Sequence, residues 1–323
     1  MLTALAAIVI GFVLLVWSAD RFVAGAAATA THLGIAPLIV GVVIVGIGTS
    51  APEMLVSIMA AAQGNANIAI GNALGSNITN VGLILGATAM LYPLSVQSGI
   101  IRRELPILAF IMMVALVLML DGILSRLDGT ILICGFVALL AWSFYQAKTQ
   151  KGDALEAEFE AELKTDMTLK AAIAWLIAGI TILVLSSKIL VWGAVFIAEA
   201  MGISDLIIGL TIIAIGTSLP ELAATIAAAR KAQYDIAVGN VVGSNMFNLV
   251  GVLAFPGLLA PGAFDQSVML RDFPVMIALA LLLILFASNF TLRSAGIIGR
   301  AKGCILLLAY FSYMALLYVQ ASS

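Results

Sequence analysis

The sequence predicts an all-α membrane protein: ten transmembrane helices arranged as two inverted-topology five-helix repeats. Three observations carry that reading. The composition is 63% hydrophobic and only 10% charged, with a mean hydropathy of +1.17, far from the roughly 25% charged residues of soluble domains. Ten apolar runs are each long enough to cross about 30 Å of hydrocarbon, at about 3–28, 35–62, 66–91, 102–120, 128–147, 171–197, 203–229, 235–259, 272–289 and 302–319. Finally, the stretch GIGTSAPEMLVS at Gly46–Ser57 returns 168 positions later as AIGTSLPELAAT at Ala214–Thr225.

The duplication needs no gap over about 60 residues. Gly71, Asn72, Gly75, Ser76, Asn77 and Asn80 reappear as Gly239, Asn240, Gly243, Ser244, Asn245 and Asn248, and Arg103 and Pro106 as Arg271 and Pro274. The identities fall on Gly, Ser, Thr, Asn, Pro and Glu rather than on Leu and Val, and a carboxylate inside an apolar chain is expensive to repeat without a use. Five runs per half is an odd number, so the second half enters the bilayer from the opposite side and the repeats are inverted. Residues 1–147 form the first repeat, 148–170 a linker and 171–323 the second repeat.

Taken in order, the first run has no Lys or Arg before it and continues past the length of a signal-peptide core, so it reads as a retained helix. Arg21 within it and Lys188 within the sixth run read as snorkelling side chains or an intramembrane pair, and His32 as an interfacial side chain. Cys134 and Cys304, near equivalent points of the fifth and tenth runs, are expected to pack, with no disulfide or metal role. Connections after the odd-numbered runs hold Arg102, Arg103, Lys148, Lys151, Lys164, Lys170, Arg230, Lys231, Arg293, Arg300 and Lys302, against Arg126 and Arg271 on the other face. That bias places both termini on the non-cytoplasmic side of a plasma (inner) membrane. The polar connection Gln146–Lys170 carries Asp153, Glu156, Glu158, Glu160, Glu162 and Asp166. It lacks the D-x-D-x-D-G pattern of a calcium-binding loop and reads as a solvated cytoplasmic linker.

The chemistry concentrates in the second, third, seventh and eighth runs. Gly46 and Gly48 allow the backbone to leave helical geometry, Ser50 has the side chain of an N-cap, Pro52 falls in the first turn, and Glu53 stands at capping-box spacing. The second run is therefore expected to be broken at membrane depth, which is tolerated where freed backbone groups face a cavity. Carbonyls near Gly46 and Ile47, with the side-chain oxygens of Thr49, Ser50 and Glu53, would point toward a cation, and Ala214 to Glu221 repeats the arrangement with Thr217 and Ser218. A second break is expected at Gly75-Ser76-Asn77 and at Gly243-Ser244-Asn245, with Asn80 and Asn248 one turn further on.

Brought together by a pseudo-twofold axis, these segments line a cavity with two carboxylates and with hydroxyl, amide and backbone oxygens, and no His or Cys. All-oxygen ligation suits a hard cation such as Ca²⁺, whereas zinc or copper usually calls for imidazole or thiolate. Ser, Asn and Gly also occur where membrane helices simply pack closely, and the GxxxG steps Gly71/Gly75, Gly82/Gly86 and Gly239/Gly243 fit that alternative. It does not account for Glu53 and Glu221, neither of which has Lys or Arg within a helical turn.

The paired GTSAPE and GTSLPE segments, each followed 27 residues after its Glu by the final Asn of GSNITN or GSNMFN, resemble the two alpha-repeats of the sodium/calcium exchanger family, over both halves of the chain. The resemblance implies a transporter rather than an enzyme, with no cofactor, that exchanges calcium for sodium by alternating access. It implies Glu53 and Glu221 as central ligands, Thr49, Ser50, Ser76, Thr217, Ser218 and Ser244 as hydroxyl ligands, and Asn80 and Asn248 completing the cluster; Asn77 and Asn245 join the candidate set from the Gly-Ser-Asn breaks. The proton-coupled branch of the superfamily carries its Glu in a GN-x-x-E context, and here Asn72 and Asn240 are not so followed, which favours sodium. A calcium/proton antiporter and a passive cation channel remain as alternatives. The partners implied are Ca²⁺, Na⁺ and the lipid bilayer, with no nucleic acid and no obligatory protein partner.

Overall fold

The computed structural model describes residues 1–32, 50–96, 100–149, 167–230, 232, 234–288 and 296–322. Helix α1 (Leu2–His32) is followed by α2 (Ala51–Ala62) and by α3 (Ala66–Thr79), which continues through a π-helical segment, Asn80–Leu85, to Gly86–Leu91. Strand β1 (Leu94–Val96) and a π-helical lead-in, Ile100–Glu104, precede α4 (Leu105–Met119); β2 (Ile123–Leu124) precedes α5 (Arg126–Thr149). Then come α6 (Leu169–Met201), α7 (Asp205–Thr217), α8 (Leu219–Arg230) and α9 (Tyr234–Phe247), the last continuing through a π-helical Asn248–Val252 to Ala254–Leu259. Strand β3 (Gly262–Ala263), a π-helical Val268–Asp272, α10 (Phe273–Ala287), β4 (Gly296–Ile298) and α11 (Arg300–Ser322) complete the chain.

The protein is mostly helical and of membrane type. Among the described residues seven helices are long and apolar enough to cross a bilayer, and the pair α7–α8, bent by 41° at Ser218, makes an eighth. Of the other two expected crossings, the second run is represented by α2, its residues 35–49 lying outside the described part. The fourth is α4, whose lead-in carries Arg102, Arg103 and Glu104. The linker 148–170 likewise falls largely outside the described residues.

Burial decides which helices are central. In α3 94% of the apolar span is enclosed and in α9 78%, whereas α5 and α11 enclose only 17% and 22% of theirs and turn the remainder outward. The elements that carry the repeated Asn and Ser residues are thus the ones the other helices surround.

Contacts between the halves come in reciprocal pairs, those of α1 with α6 at the 168-residue offset. A Cβ on Gly25 would meet the Leu176 backbone nitrogen at 2.5 Å, and one on its counterpart Gly193 would meet the Ala4 carbonyl oxygen at 2.8 Å; Gly11 lies on Leu190 and its counterpart Gly179 on Phe22. Low residue numbers on α1 therefore meet high numbers on α6, so these equivalent helices run antiparallel at backbone-contact distance. Gly129 of α5 sits against Ala254 and Leu258, and Gly303 of α11 against Gly86 and Met90. The strands follow the same exchange, β1 pairing with β4 and β2 with β3, both antiparallel.

Several local expectations change. The helices do not break at Gly75-Ser76-Asn77 or Gly243-Ser244-Asn245. Both continue through those residues and widen one turn later, at Asn80 and at Asn248. The Asn77 side chain, instead of capping a break, donates back to the Ala73 carbonyl at 2.8 Å and leaves the helical ladder intact. The wider π-turn re-aims side chains without exposing free backbone groups, and such turns recur at functional positions. Cys134 and Cys304 are free and exposed on the outer surface rather than packed. Arg21 is in no ion pair among the described residues: its guanidinium lies 5.9 Å from the Trp17 ring and 5.1 Å from the Trp175 ring, a cation–π setting. His32 is exposed, with Nε2 2.8 Å from the Met167 carbonyl oxygen.

Because α1 and α6 touch through glycine backbone, Gly25→Val should push them apart and destabilise the protein by about 1–3 kcal/mol, the usual range for overpacking. Thermal unfolding in detergent should show this as a lower midpoint, whereas the same change at Gly64, where nothing lies within 4 Å but φ is +84°, should act only through local backbone strain.

Candidate ion-binding site

Two bends of matching geometry build the centre. Ser50 precedes α2 with φ −89°, ψ 4°, and Ser218 separates α7 from α8 with φ −86°, ψ 8°. Neither angle pair is the extended geometry of an N-cap, and Ser50 makes no capping hydrogen bond. The expected capping box is therefore absent. Glu53 does not reach back to its own helix start; its Oε1 accepts a hydrogen bond from the Ser218 hydroxyl, across the repeats, at 3.2 Å. The carbonyl of Ala214 is engaged as well, by the Ser218 N–H at 3.2 Å and the Thr217 hydroxyl at 3.4 Å, so side chains rather than freed carbonyls make up the donor set seen here. Thr49, Gly46 and Ile47 lie outside the described residues.

Glu53 and Glu221 are 1% and 0% exposed, and they lie close enough to act on one another; the Ser50 and Ser244 hydroxyls also lie toward Glu221. The π-helical segment beginning at Asn80 packs on α8, which carries Glu221, and the one beginning at Asn248 packs on α2, which carries Glu53. Ser76, Asn77, Asn80, Ser244, Asn245 and Asn248 are all buried within this contact. Asn80 Nδ2 donates to Asn245 Oδ1 at 3.0 Å.

The buried polar atoms left without a hydrogen-bond partner among the described residues identify what the centre lacks. They include Ser50 Oγ, Glu53 Oε2, Ser76 Oγ, Asn80 Oδ1, both carboxyl oxygens of Glu221, and both ends of the Asn248 amide. Thr79 and Tyr310 are the other two residues so left. An orphaned buried oxygen carries a penalty of about 1–3 kcal/mol, more when charged. Hydroxyls elsewhere in the apolar helices avoid it by bonding to a carbonyl three or four residues back: Ser18 to Leu15, Thr29 to Gly25, Thr88 to Ile84, Ser186 and Ser187 to Leu183. Ser50 and Ser76 do not, which separates them from ordinary helix-packing hydroxyls. Seven acceptor oxygens with no donor, around two carboxyls, match what a hard cation requires, since Ca²⁺ takes 6–8 oxygens at flexible geometry.

Two supporting residues escaped the sequence reading as part of the site. Asn72 Nδ2 donates to the Glu53 carbonyl oxygen at 3.0 Å, and Asn240 Nδ2 to that of Glu221 at 3.4 Å, each across the same spacing of 19 residues. Asn72 Oδ1 also accepts from the Thr217 hydroxyl at 3.2 Å, and Asn240 donates to Thr225 at 3.0 Å. Their presence in the duplicated set was the signal. The close-packing alternative holds for Gly71 and Gly75, which press on residues 206–214, and for Gly82 and Gly86, which press on α11. It does not hold at Gly243, which has nothing within 4 Å.

A model of the sodium/calcium exchanger protein family matches residues 3–145 and 171–319. The chain belongs to the sodium/calcium exchanger family. It is 46% identical to the putative antiporter CaxA of Alkalimonas amylolytica, over 98% of this chain and 99% of that one. It is 32% identical to the sodium/calcium exchanger MaX1 of Methanosarcina acetivorans, over 96% and 97%, and 43% identical to the inner membrane protein YrbG of Escherichia coli (strain K12), over 98% of each. Among solved structures, it superposes on the sodium-calcium exchanger NCX_Mj, soaked with 10 mM Na⁺ and zero Ca²⁺, with a TM-score of 0.66 and 31% identity, over 97% of this chain and 98% of that one. The chain is thus a membrane-embedded antiporter of the exchanger family, a transporter by membership.

Asn72 touches both Glu53 and Thr217, so Asn72→Ala should loosen both repeats' contributions to the centre. Supporting groups of this kind are worth about 10–100-fold in metal affinity. Calcium titration of the purified protein should show a loss in that range with the helical content unchanged.

Proposed function

We propose that this chain exchanges calcium for sodium across the membrane by alternating access, through a single centre built from Glu53 and Glu221. The supporting ligands are Ser50, Ser76, Asn80, Thr217, Ser218, Ser244 and Asn248, with Thr49 as the repeat partner of Thr217, with Asn245 holding the Asn80 amide and with Asn77 as its repeat partner in the candidate set. The observation that carries this reading is the cluster of donor-less buried oxygens around two carboxyls, four from the first half and three from the second. The named sodium/calcium exchangers among its relatives and structural neighbours support the ion pair.

The architecture we assign is ten crossings as two inverted repeats, residues 1–147 and 171–323 joined by the acidic linker 148–170. The antiparallel pairing of α1 with α6 supports inversion, because equivalent helices running in opposite directions cross the bilayer in opposite senses. The strand pairs support the crossing parity: β1 and β4 follow the third and ninth predicted crossings, β2 and β3 the fourth and eighth. The Lys and Arg distribution orients both termini to the non-cytoplasmic side.

Competition for one set of ligands produces the exchange. Ca²⁺ and Na⁺ are both hard cations that bind carboxylate, hydroxyl and amide oxygens, so neither can occupy the full cluster while the other is there. The bend at Ser218 lets α7 and α8 rearrange about a fixed centre, as in inverted-repeat transporters whose sites lie at discontinuous helices.

Glu53→Gln and Glu221→Gln should each abolish sodium-driven calcium flux in proteoliposomes. Both variants should remain folded, because the change removes an unpaired buried charge. Calcium transport at the wild-type rate by either variant overturns the assignment. Running the wild type with an imposed sodium gradient, an imposed proton gradient or none separates the sodium exchanger from a proton antiporter and from a channel.

Sodium-driven flux should also persist when potassium is replaced by choline, because Asn80 and Asn248 are neutral amides and offer no charge for a further monovalent ion. Loss of flux on removing potassium contradicts this reading of the two amides.

A further inference from the structure

Pro256 leaves one buried carbonyl without its usual helical donor. In α-helical register the Val252 carbonyl would accept from the N–H four residues on, and residue 256 is a proline, which has none. Val252 closes the π-helical segment Asn248–Val252, whose wide turn is made by the Leu253 N–H on the Asn248 carbonyl at 2.9 Å. Among the described residues, the side chain that reaches the Val252 carbonyl comes from the other half of the chain. It is the Ser57 hydroxyl of α2, at 3.2 Å.

Ser57 is fully buried, and its hydroxyl also lies 3.3 Å from the Ala69 carbonyl. A hydroxyl has one proton to give. Ala69 sits in the regular part of α3, where the N–H of Ala73 serves its carbonyl in the ordinary way. Val252 lacks that donor, so the Ser57 proton belongs on Val252.

Ser57 stands four residues after Glu53, on the same face of α2. That helix packs on the π-helical segment beginning at Asn248, and the Met54 methyl fills the notch at Gly251, where a Cβ would stand 2.9 Å from it. One hydrogen bond therefore fixes the far end of the turn that carries Asn248, and fixes it to the helix that carries Glu53.

The repeat does not copy this tie. The equivalent of Val252 is Ile84, which has Thr88 four residues on: a residue with an N–H, whose hydroxyl also donates to the Ile84 carbonyl at 2.7 Å. Thr225, the equivalent of Ser57, instead accepts from Asn240 at 3.0 Å. The first-half turn is closed within its own helix, and the second-half turn is closed by the opposite repeat. Resting on the calcium/sodium reading above, we infer that Ser57 is a positioning residue of the centre. It ties Asn248 to Glu53 across the repeats, and calcium affinity depends on that tie rather than on the carbonyl merely being satisfied.

Two substitutions separate the tie from simple hydrogen-bond satisfaction. Ser57→Ala removes both, whereas adding Pro256→Ala returns a main-chain donor to Val252 without rejoining the halves. Sodium-driven calcium uptake in proteoliposomes gives KM and the maximal rate, and thermal unfolding in detergent gives the stability of each variant. Ser57→Ala should raise the calcium KM by about tenfold or more, as loss of an orienting partner does, with the maximal rate near wild type and a lower unfolding midpoint. In the double variant the midpoint should recover and the KM should stay raised. An unchanged KM in Ser57→Ala, or a KM that recovers together with the midpoint, overturns the positioning role. If Ser57→Ala does not fold, the double variant carries the test, its KM being compared directly with wild type. Wild type without sodium-driven uptake overturns the exchange reading instead, and calcium titration of the purified variants then still reads the tie.

Discussion

Everything in this structure is arranged around two carboxyl groups buried without a basic partner. An ionised carboxylate in an apolar interior is tolerated only if something meets its charge, and among the described residues Glu53 is met by a hydroxyl while neither oxygen of Glu221 has a hydrogen-bond partner. A stable scaffold would have replaced such residues or paired them, as it pairs Asp272 with Arg271 and Tyr313. The contrast lies within one molecule: a structural carboxylate satisfied by protein, and two central ones with oxygens left open among the described residues. The surrounding helices supply the rigidity that keeps such a site from collapsing. Gly71, Gly75 and Gly209 bring α3 and α7 to backbone contact, and Asn72 and Asn240 tie the main chain at each glutamate to the helix beside it.

The duplication explains why so few elements suffice. Each contact that fixes one half has a counterpart in the other: Gly25 on Leu176 and Gly193 on Ala4, Gly129 on Ala254 and Gly303 on Gly86, β1 with β4 and β2 with β3. On the proposed function, one half-site, formed once in sequence and repeated, becomes a complete cation cage when the halves meet, since each half offers one carboxylate at the centre. On that proposal the interface between repeats is the site itself, where a rearrangement of one half against the other would act directly on a bound ion.

Much of this was legible from residues alone, because the features that make the fold also leave strong sequence signals. Apolar runs of membrane length gave the helices, and the repeated Gly, Ser, Asn and Glu marked the segments that carry the buried polar cluster, including both glutamates. Hydrogen-bond geometry was less legible. Ser50 has the identity and spacing of a cap, yet its backbone angles place it at a bend and its hydroxyl is left open. Gly75-Ser76-Asn77 reads as a break because each residue is a poor helix former, yet burial in the most enclosed helix holds it helical and displaces the irregularity to the π-turn at Asn80. Asn72 and Asn240 were visible as repeats but not as braces, since only the fold shows that a side chain 19 residues on reaches back to the glutamate carbonyl. Cys134 and Cys304 turn outward because a lipid-facing position accepts a small apolar thiol as readily as a core does.

The departures from symmetry carry as much meaning as the symmetry. Asn80 is held by Asn245, which leaves its oxygen as the open end, whereas among the described residues the equivalent Asn248 amide has no partner at either end. Its would-be holder, Asn77, is instead turned to its own helix at Ala73. Glu53 takes the Ser218 hydroxyl, and Glu221 takes no hydrogen bond of that quality from Ser50. Two halves with the same motif adopt different hydrogen-bond states at once, so each state is accessible to the same local sequence, and the energy separating them is that of exchanging a few side-chain hydrogen bonds worth about 1 kcal/mol each. On the proposed cycle, the opposite-facing form is the one in which the halves trade these roles, with Asn77 holding Asn248 and Asn245 released. A difference that small leaves the choice between the two forms to the bound ion, which is what coupling one cation's movement to another's requires.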